Sequence, residues 1–157
     1  MSIIVTLALL TQLSPQAPLQ GDTVVLMPKG GSRVEAWSTP NLAGVSDCDL
    51  SVIPGVMGKV LDKFVIGRSG ILTIVRLSDK REITVTSLST ELYIVTDLDR
   101  AKTIYREFGQ SIAANKASTR KVKAKLDAKV FPRIARKYKL HPAVLSAILA
   151  AGQTNHW

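Results

Sequence analysis

The sequence predicts an α+β chain in which a small all-β module precedes a basic helical one. Three observations lead there. Between Gly21 and Val95, short apolar runs alternate with glycine, proline, asparagine and aspartate, and no helical period interrupts them. After Asp97 the apolar residues recur at every third or fourth position instead. The charge changes at the same place: residues 1–99 hold 8 Lys/Arg and 10 Asp/Glu, whereas residues 100–157 hold 13 and 2. The boundaries read as 1–19 for an apolar N-terminal segment and linker, 20–97 for the β module and 98–157 for the basic helical module.

The run from Ile3 to Leu10 is apolar, with β-branched residues at its start. No lysine or arginine precedes it, so the signal-peptide pattern is incomplete. It falls short of the roughly 20 apolar residues a spanning helix needs. It reads as a buried strand or a hydrophobic plug, with Ser14-Pro15-Gln16-Ala17-Pro18 as a polar linker behind it. No membrane span is expected, and the expected location is cytoplasmic, nucleoid-associated or phage-encoded in a host, rather than secreted.

In the β module, strands are expected over Asp22–Met27, Val34–Trp37, Val56–Ile66, Ile71–Arg76, Glu82–Thr86 and Glu91–Val95. Pro28–Ser32, Gly67–Gly70 and Ser78–Arg81 are the turns, and Ser38–Ser51 is a long polar loop. Short strands at this spacing argue a small barrel or sandwich. Aromatic residues are only 5% of the chain, so the core must be aliphatic.

Two stretches carry a family resemblance. Gly21-Asp22-Thr23-Val24-Val25, followed by Pro54-Gly55-Val56-Met57-Gly58-Lys59-Val60, resembles the KOW-type SH3-like barrel of transcription elongation factors and ribosomal proteins. Val75-Arg76-Leu77 and Glu91-Leu92-Tyr93-Ile94-Val95 resemble its closing strands. The resemblance covers residues 20–97 and departs at the first turn, which is short in the family and here holds residues 28–53. It implies an SH3-like β-barrel. If the barrel touches nucleic acid, Lys59, Lys63, Arg68, Arg76, Lys80 and Arg81 are its positive groups.

The helical module begins where Thr96 or Asp97 can cap a helix and Asp99 sits near its positive end. Leu98, Ala101, Ile104, Tyr105, Phe108 and Ile112 share one face, and Gly109 is expected to end or weaken the helix. Asn115–Ser118 reads as a hinge with Ser118 as the next cap. Val122, Leu126, Val130, Ile134 and Tyr138 then recur every four residues. Pro132 and Pro142 mark further helix starts, and Gly152 a stop.

Phe131–Ala151 resembles a helix-turn-helix unit, with Ile134, Ala135, Tyr138, Leu140, Leu145 and Ile148 inward and Leu140 plugging the turn. It departs from that pattern at Lys139, where the turn usually holds glycine. Its second helix offers His141, Val144, Ser146 and Ala147, and no Arg, Asn or Gln before Gln153. Those long side chains are what direct major-groove readout uses.

No catalytic set stands out. The single cysteine, Cys48, excludes an internal disulfide and a multi-cysteine zinc site, and His141 and His156 leave little for a metal centre. Gly55–Val60 lacks the spacing of a phosphate loop, and Gly67–Gly70 lacks the helix of a nucleophile elbow. Asp47-Cys48-Asp49 reads as a solvated loop. No enzyme activity, cofactor or metal is expected.

The formal net charge of +9, concentrated in the last third, points to a polyanionic partner. The expected function is nucleic-acid binding: duplex DNA, with RNA as the alternative nucleic acid and little sequence preference, serving transcription modulation or DNA organisation in a bacterium or phage. Few aromatics weigh against a dedicated single-strand binder. The candidate contacts are Arg120, Lys121, Lys123, Lys125, Lys129, Arg133, Arg136, Lys137, Lys139, His141 and Ser146. The alternative is a structural subunit of a virion or ribosome-like nucleoprotein assembly, in which the basic tail neutralises packaged or ribosomal nucleic acid.

Overall fold

A computed structural model describes residues 17–38, 48, 50–65 and 70–157, and the backbone of 13–14. It is an α+β chain in which, among the described residues, eight strands are followed by four helices. The strands are β1 (Leu13–Ser14), β2 (Thr23–Pro28), β3 (Val34–Ala36), β4 (Leu50–Val52), β5 (Met57–Val65), β6 (Ile71–Leu77), β7 (Glu82–Thr86) and β8 (Thr90–Val95). The helices are α1 (Leu98–Ala114), α2 (Arg120–Asp127), α3 (Val130–Tyr138) and α4 (Pro142–Thr154).

Six strands form one antiparallel sheet in the order β1-β8-β2-β5-β6-β7, and β3 pairs with β4 in a separate ribbon. The β5-β6-β7 meander follows from short turns, the second closed by Lys80 at φ 69° with its N–H donating to the Leu77 carbonyl. β8 returns beside β2, so that Val25 faces Tyr93 and Leu26 faces Leu92.

Two cores explain the strand sequences. Val24, Leu26, Val60, Val75, Ile83, Val85 and the inner face of β8 pack together on one side of the sheet. Val25 and Tyr93 project to the other side and join Ile104, Ile134, Leu145 and Ile148 of the helices. β2 is thus buried on both faces, which is why Val24-Val25-Leu26-Met27 reads as a continuous apolar run rather than an alternation. Residues of β7 and β8 share the first core although they lie far apart in the strand order, so the sheet is strongly curled.

The curled sheet does not close into a barrel as expected. The outer edge of β7 is taken by Trp37, which exchanges two 2.9 Å backbone hydrogen bonds with Thr84. Trp37 follows β3 directly, so within the segment 28–53 that sets the chain apart from the short first turn of a KOW barrel, Trp37 covers the edge on which closure depends. Val34, Ala36 and Val52 of this ribbon are buried in the concave core.

Other expectations change in detail. The Ser14–Pro18 linker is partly strand, with Leu13 opposite Val95 and Ser14 opposite Ile94. The long loop gives way to β4 at Leu50. Gly109 neither ends nor interrupts α1, which continues to Ala114. The cap of α2 is Thr119, not Ser118, because the Thr119 hydroxyl accepts from the Val122 N–H. The four-residue apolar row is split between α2 and α3, with Val130 and Ile134 buried but Val122 exposed. Gly152 is no stop, since α4 runs to Thr154, and its missing side chain is filled by the Tyr105 ring. The apolar run from Ile3 to Leu10, most of the acidic loop around Cys48 and the turn at Arg68 lie outside the described residues.

Candidate nucleic-acid interface

α2 is an eight-residue helix with no buried residue. It is tied down through Asp127, whose carboxylate accepts from the Lys123 ammonium and from the Asn115 amide, each at 2.8 Å. The Lys123 bond, then the Asn115 bond, hold Asp127 below its ordinary carboxylate range. Arg120 and Lys121 occupy the first turn, where no acidic residue offsets them. Cations there oppose the positive end of the helix dipole. Lys121 and Lys125 are four residues apart and share a face.

α3 is strongly amphipathic. Val130, Ile134 and Ala135 are buried, while Arg133, Arg136 and Lys137 face solvent. Its junction with α1 is a clamp on Glu107, which accepts from Lys137 at 2.6 and 2.7 Å and from the Tyr138 hydroxyl at 2.6 Å. The Lys137 and Tyr138 bonds pull the Glu107 carboxyl down, and the same carboxylate pushes Lys137 and Tyr138 up.

The turn between α3 and α4 is a Schellman motif. The Leu140 N–H donates to the Ala135 carbonyl at 2.8 Å and the Lys139 N–H to the Arg136 carbonyl at 3.2 Å. Lys139 takes the left-handed position, at φ 54° and ψ 43°, that glycine ordinarily fills. Leu140 is buried beneath the turn. α4 starts with Pro142 after His141, whose ring Nδ1 accepts from the Ala143 N–H at 3.2 Å. It is the most deeply packed helix, with Val144, Leu145, Ala147, Ile148, Ala151 and Gly152 buried.

The nominated cations therefore divide into two groups. Arg120, Lys121, Lys125, Lys129, Arg133, Arg136 and Lys139 are exposed and make no ion pair among the described residues. Lys123 and Lys137 are committed to Asp127 and Glu107. His141 serves as a cap, and Ser146 is exposed but short. Gln153, Arg106 and Lys116 are also exposed; only their place in the basic third of the chain pointed to the last two. On the sheet, Arg76 is paired with Glu82 and Arg81 with Asp79, each at 2.7 Å, so those two cations are offset locally.

Among the described residues no group of three metal-ligating side chains comes together, and no helix is long and apolar enough to cross a membrane. Compared with known protein families, with curated proteins and with solved structures, the chain matches none.

Proposed function

We propose that the α2–α3 surface binds duplex nucleic acid, DNA above all, through its phosphates and without sequence readout. The observation that carries this reading is α2 itself. None of its residues is fully buried, and its first turn sets Arg120 and Lys121 against the helix dipole. Neither feature serves folding, and both suit a polyanion. Lys125, Lys129, Arg133 and Arg136 extend the run of exposed cations along the chain into α3. Base readout is disfavoured because the α4 N-terminus offers a capping histidine and Ser146 in place of long donors.

The curled sheet supports an SH3-like reading of residues 20–97, since β5, β6 and β7 form a meander and β8 returns beside β2. The α3–α4 turn supports a helix-turn-helix-like reading of the tail, used for positioning rather than for entering a groove. The proposal extends, on the resemblance of residues 20–97 alone, to a role in organising DNA or modulating transcription in a bacterial or phage setting.

The test is a titration of two unrelated duplexes of equal length at several salt concentrations. Log affinity should fall linearly with log salt, by about 0.9 per phosphate contacted, and equally for both duplexes. Replacing Lys121 and Lys125 by alanine should flatten the slope by up to about 2. A flat salt response, or a large preference for one duplex, would refute the reading. A protein that fails to bind duplex but assembles into oligomers would favour the assembly-subunit role.

A further inference from the structure

The concave core of the sheet is aliphatic along most of its length and becomes polar at one end. Beyond Val60, Val75 and Ile83, the same face carries Lys63 and Thr73, with Thr90 entering from β8. Together with Lys29, Val85 and Leu92 they line a cavity of about 220 Å³.

Two features of this cavity are unexplained by folding. The first is Lys63. Val60 pairs with Val75 and Lys63 with Thr73, so both lie on the concave face although they are three residues apart. A β-bulge between Val60 and Asp62 makes that possible. In an unbulged strand, Asp62 and Phe64 would fall on this face, with Asp62 opposite Thr73. The bulge therefore places a half-buried ammonium opposite Thr73, where the unbulged register would place a carboxylate. The second is Thr90, which is 3% exposed and whose hydroxyl has no hydrogen-bond partner. A buried orphan hydroxyl is costly, and valine would fill the same space.

We propose that this cavity is a binding site for a small organic monoanion, a carboxylate with a compact apolar body. Lys63 and Lys29 attract the carboxylate, and a χ1 rotation turns the Thr90 hydroxyl towards it as a donor. Val85 and Leu92 seat the apolar body. Glu91 also borders the cavity, and its carboxylate already accepts from the Tyr93 hydroxyl at 2.8 Å. Two ammonium groups and one carboxylate suit a single negative charge better than a double one. The site is separate from α2 and α3, and it stands or falls independently of nucleic-acid binding.

The probe is benzoate, titrated into the full-length protein and followed by amide resonances, with acetate and inorganic phosphate as comparisons. Benzoate should give saturable shifts at Thr73, Val85, Leu92 and Thr90, with acetate weaker and phosphate without effect there. Lys63→Met should weaken benzoate at least about tenfold. Thr90→Val should weaken it about fivefold while leaving the melting temperature unchanged or higher, because the orphan hydroxyl is gone. Shifts that do not saturate, phosphate binding as tight as benzoate, or an affinity indifferent to both substitutions would each overturn the proposal.

Discussion

Glycine has opposite roles at two positions, and substitution separates them. Gly109 lies inside α1 with open space around the position of a side chain. Gly109→Ala should stabilise the protein by about 0.8 kcal/mol through helix propensity alone. Gly55 sits at φ 87°, and a side chain there would meet the backbone of Ala150 and Ala151 in α4. Gly55→Ala should destabilise by about 2 kcal/mol or more, from both the backbone conformation and the displaced helix. Urea unfolding of the two variants checks both signs. The Glu107 clamp makes a prediction in pH. Its carboxyl is depressed in the folded chain, so its contribution is present above the ordinary value of 4.5 and is lost as pH falls through the lower folded value. Glu107→Gln should therefore melt below wild type at pH 7, and the gap should narrow as the solution is acidified below that ordinary value. A gap constant down to strongly acid pH would show that Glu107 acts by packing instead.

At the scale of elements, the proposed duplex surface places cations where the helices do not favour them. Lys139 holds a left-handed position that disfavours any side chain, at the α3–α4 turn. Lys139→Gly should raise stability by up to about 1 kcal/mol while weakening duplex binding. Arg120→Glu should likewise strengthen α2 by about half a kcal/mol through the dipole and weaken duplex binding more than Lys139→Gly does. Thermal melts and salt-matched duplex titrations on the same preparations measure both effects. If stability and binding fell together in either variant, the cations would be structural.

At the scale of the molecule, the helices and the sheet share a core. Val25 and Tyr93 belong to the same cluster as Ile104 and Ile148, and the Thr154 hydroxyl and Asn155 amide bind the Pro54 and Gly55 carbonyls at 2.7 and 3.0 Å. The burial that joins Tyr93 to this core, with the Glu91 bond second, pushes its phenol up to about 12. The two tryptophans report on the two parts separately. Trp37 bridges to β7, and Trp157 packs edge-on against Tyr105 with ring centroids 6.2 Å apart. Trp37→Phe and Trp157→Phe variants should each show one fluorescence transition, and the two midpoints should agree once each variant's own stability is allowed for. Separated midpoints within one variant, read against circular dichroism, would mean that the charge boundary is also a folding boundary.

Much of this was legible because it is local. The switch from turn-punctuated runs to helical period at Asp97, the proline at the start of α4, the buried plug at Leu140 and the unusual Lys139 all depend on residues within a turn of one another. The accumulation of cations in residues 100–157 is likewise a property of the chain alone. What remained hidden depends on contacts distant in sequence. Pro54-Gly55 looked like part of a barrel motif, yet the glycine also makes room for the backbone of α4, about a hundred residues away. Gly152 looked like a stop, and becomes a contact once Tyr105 lies over it. Lys123 and Lys137 were indistinguishable in sequence from their free neighbours until Asp127 and Glu107 came within hydrogen-bond distance. Lys63 stood in the concave face only because a bulge changed the parity of β5, which no count of alternating residues reveals. Local propensity and charge are written residue by residue, whereas pairing and close approach are decided by which distant segments the fold brings together.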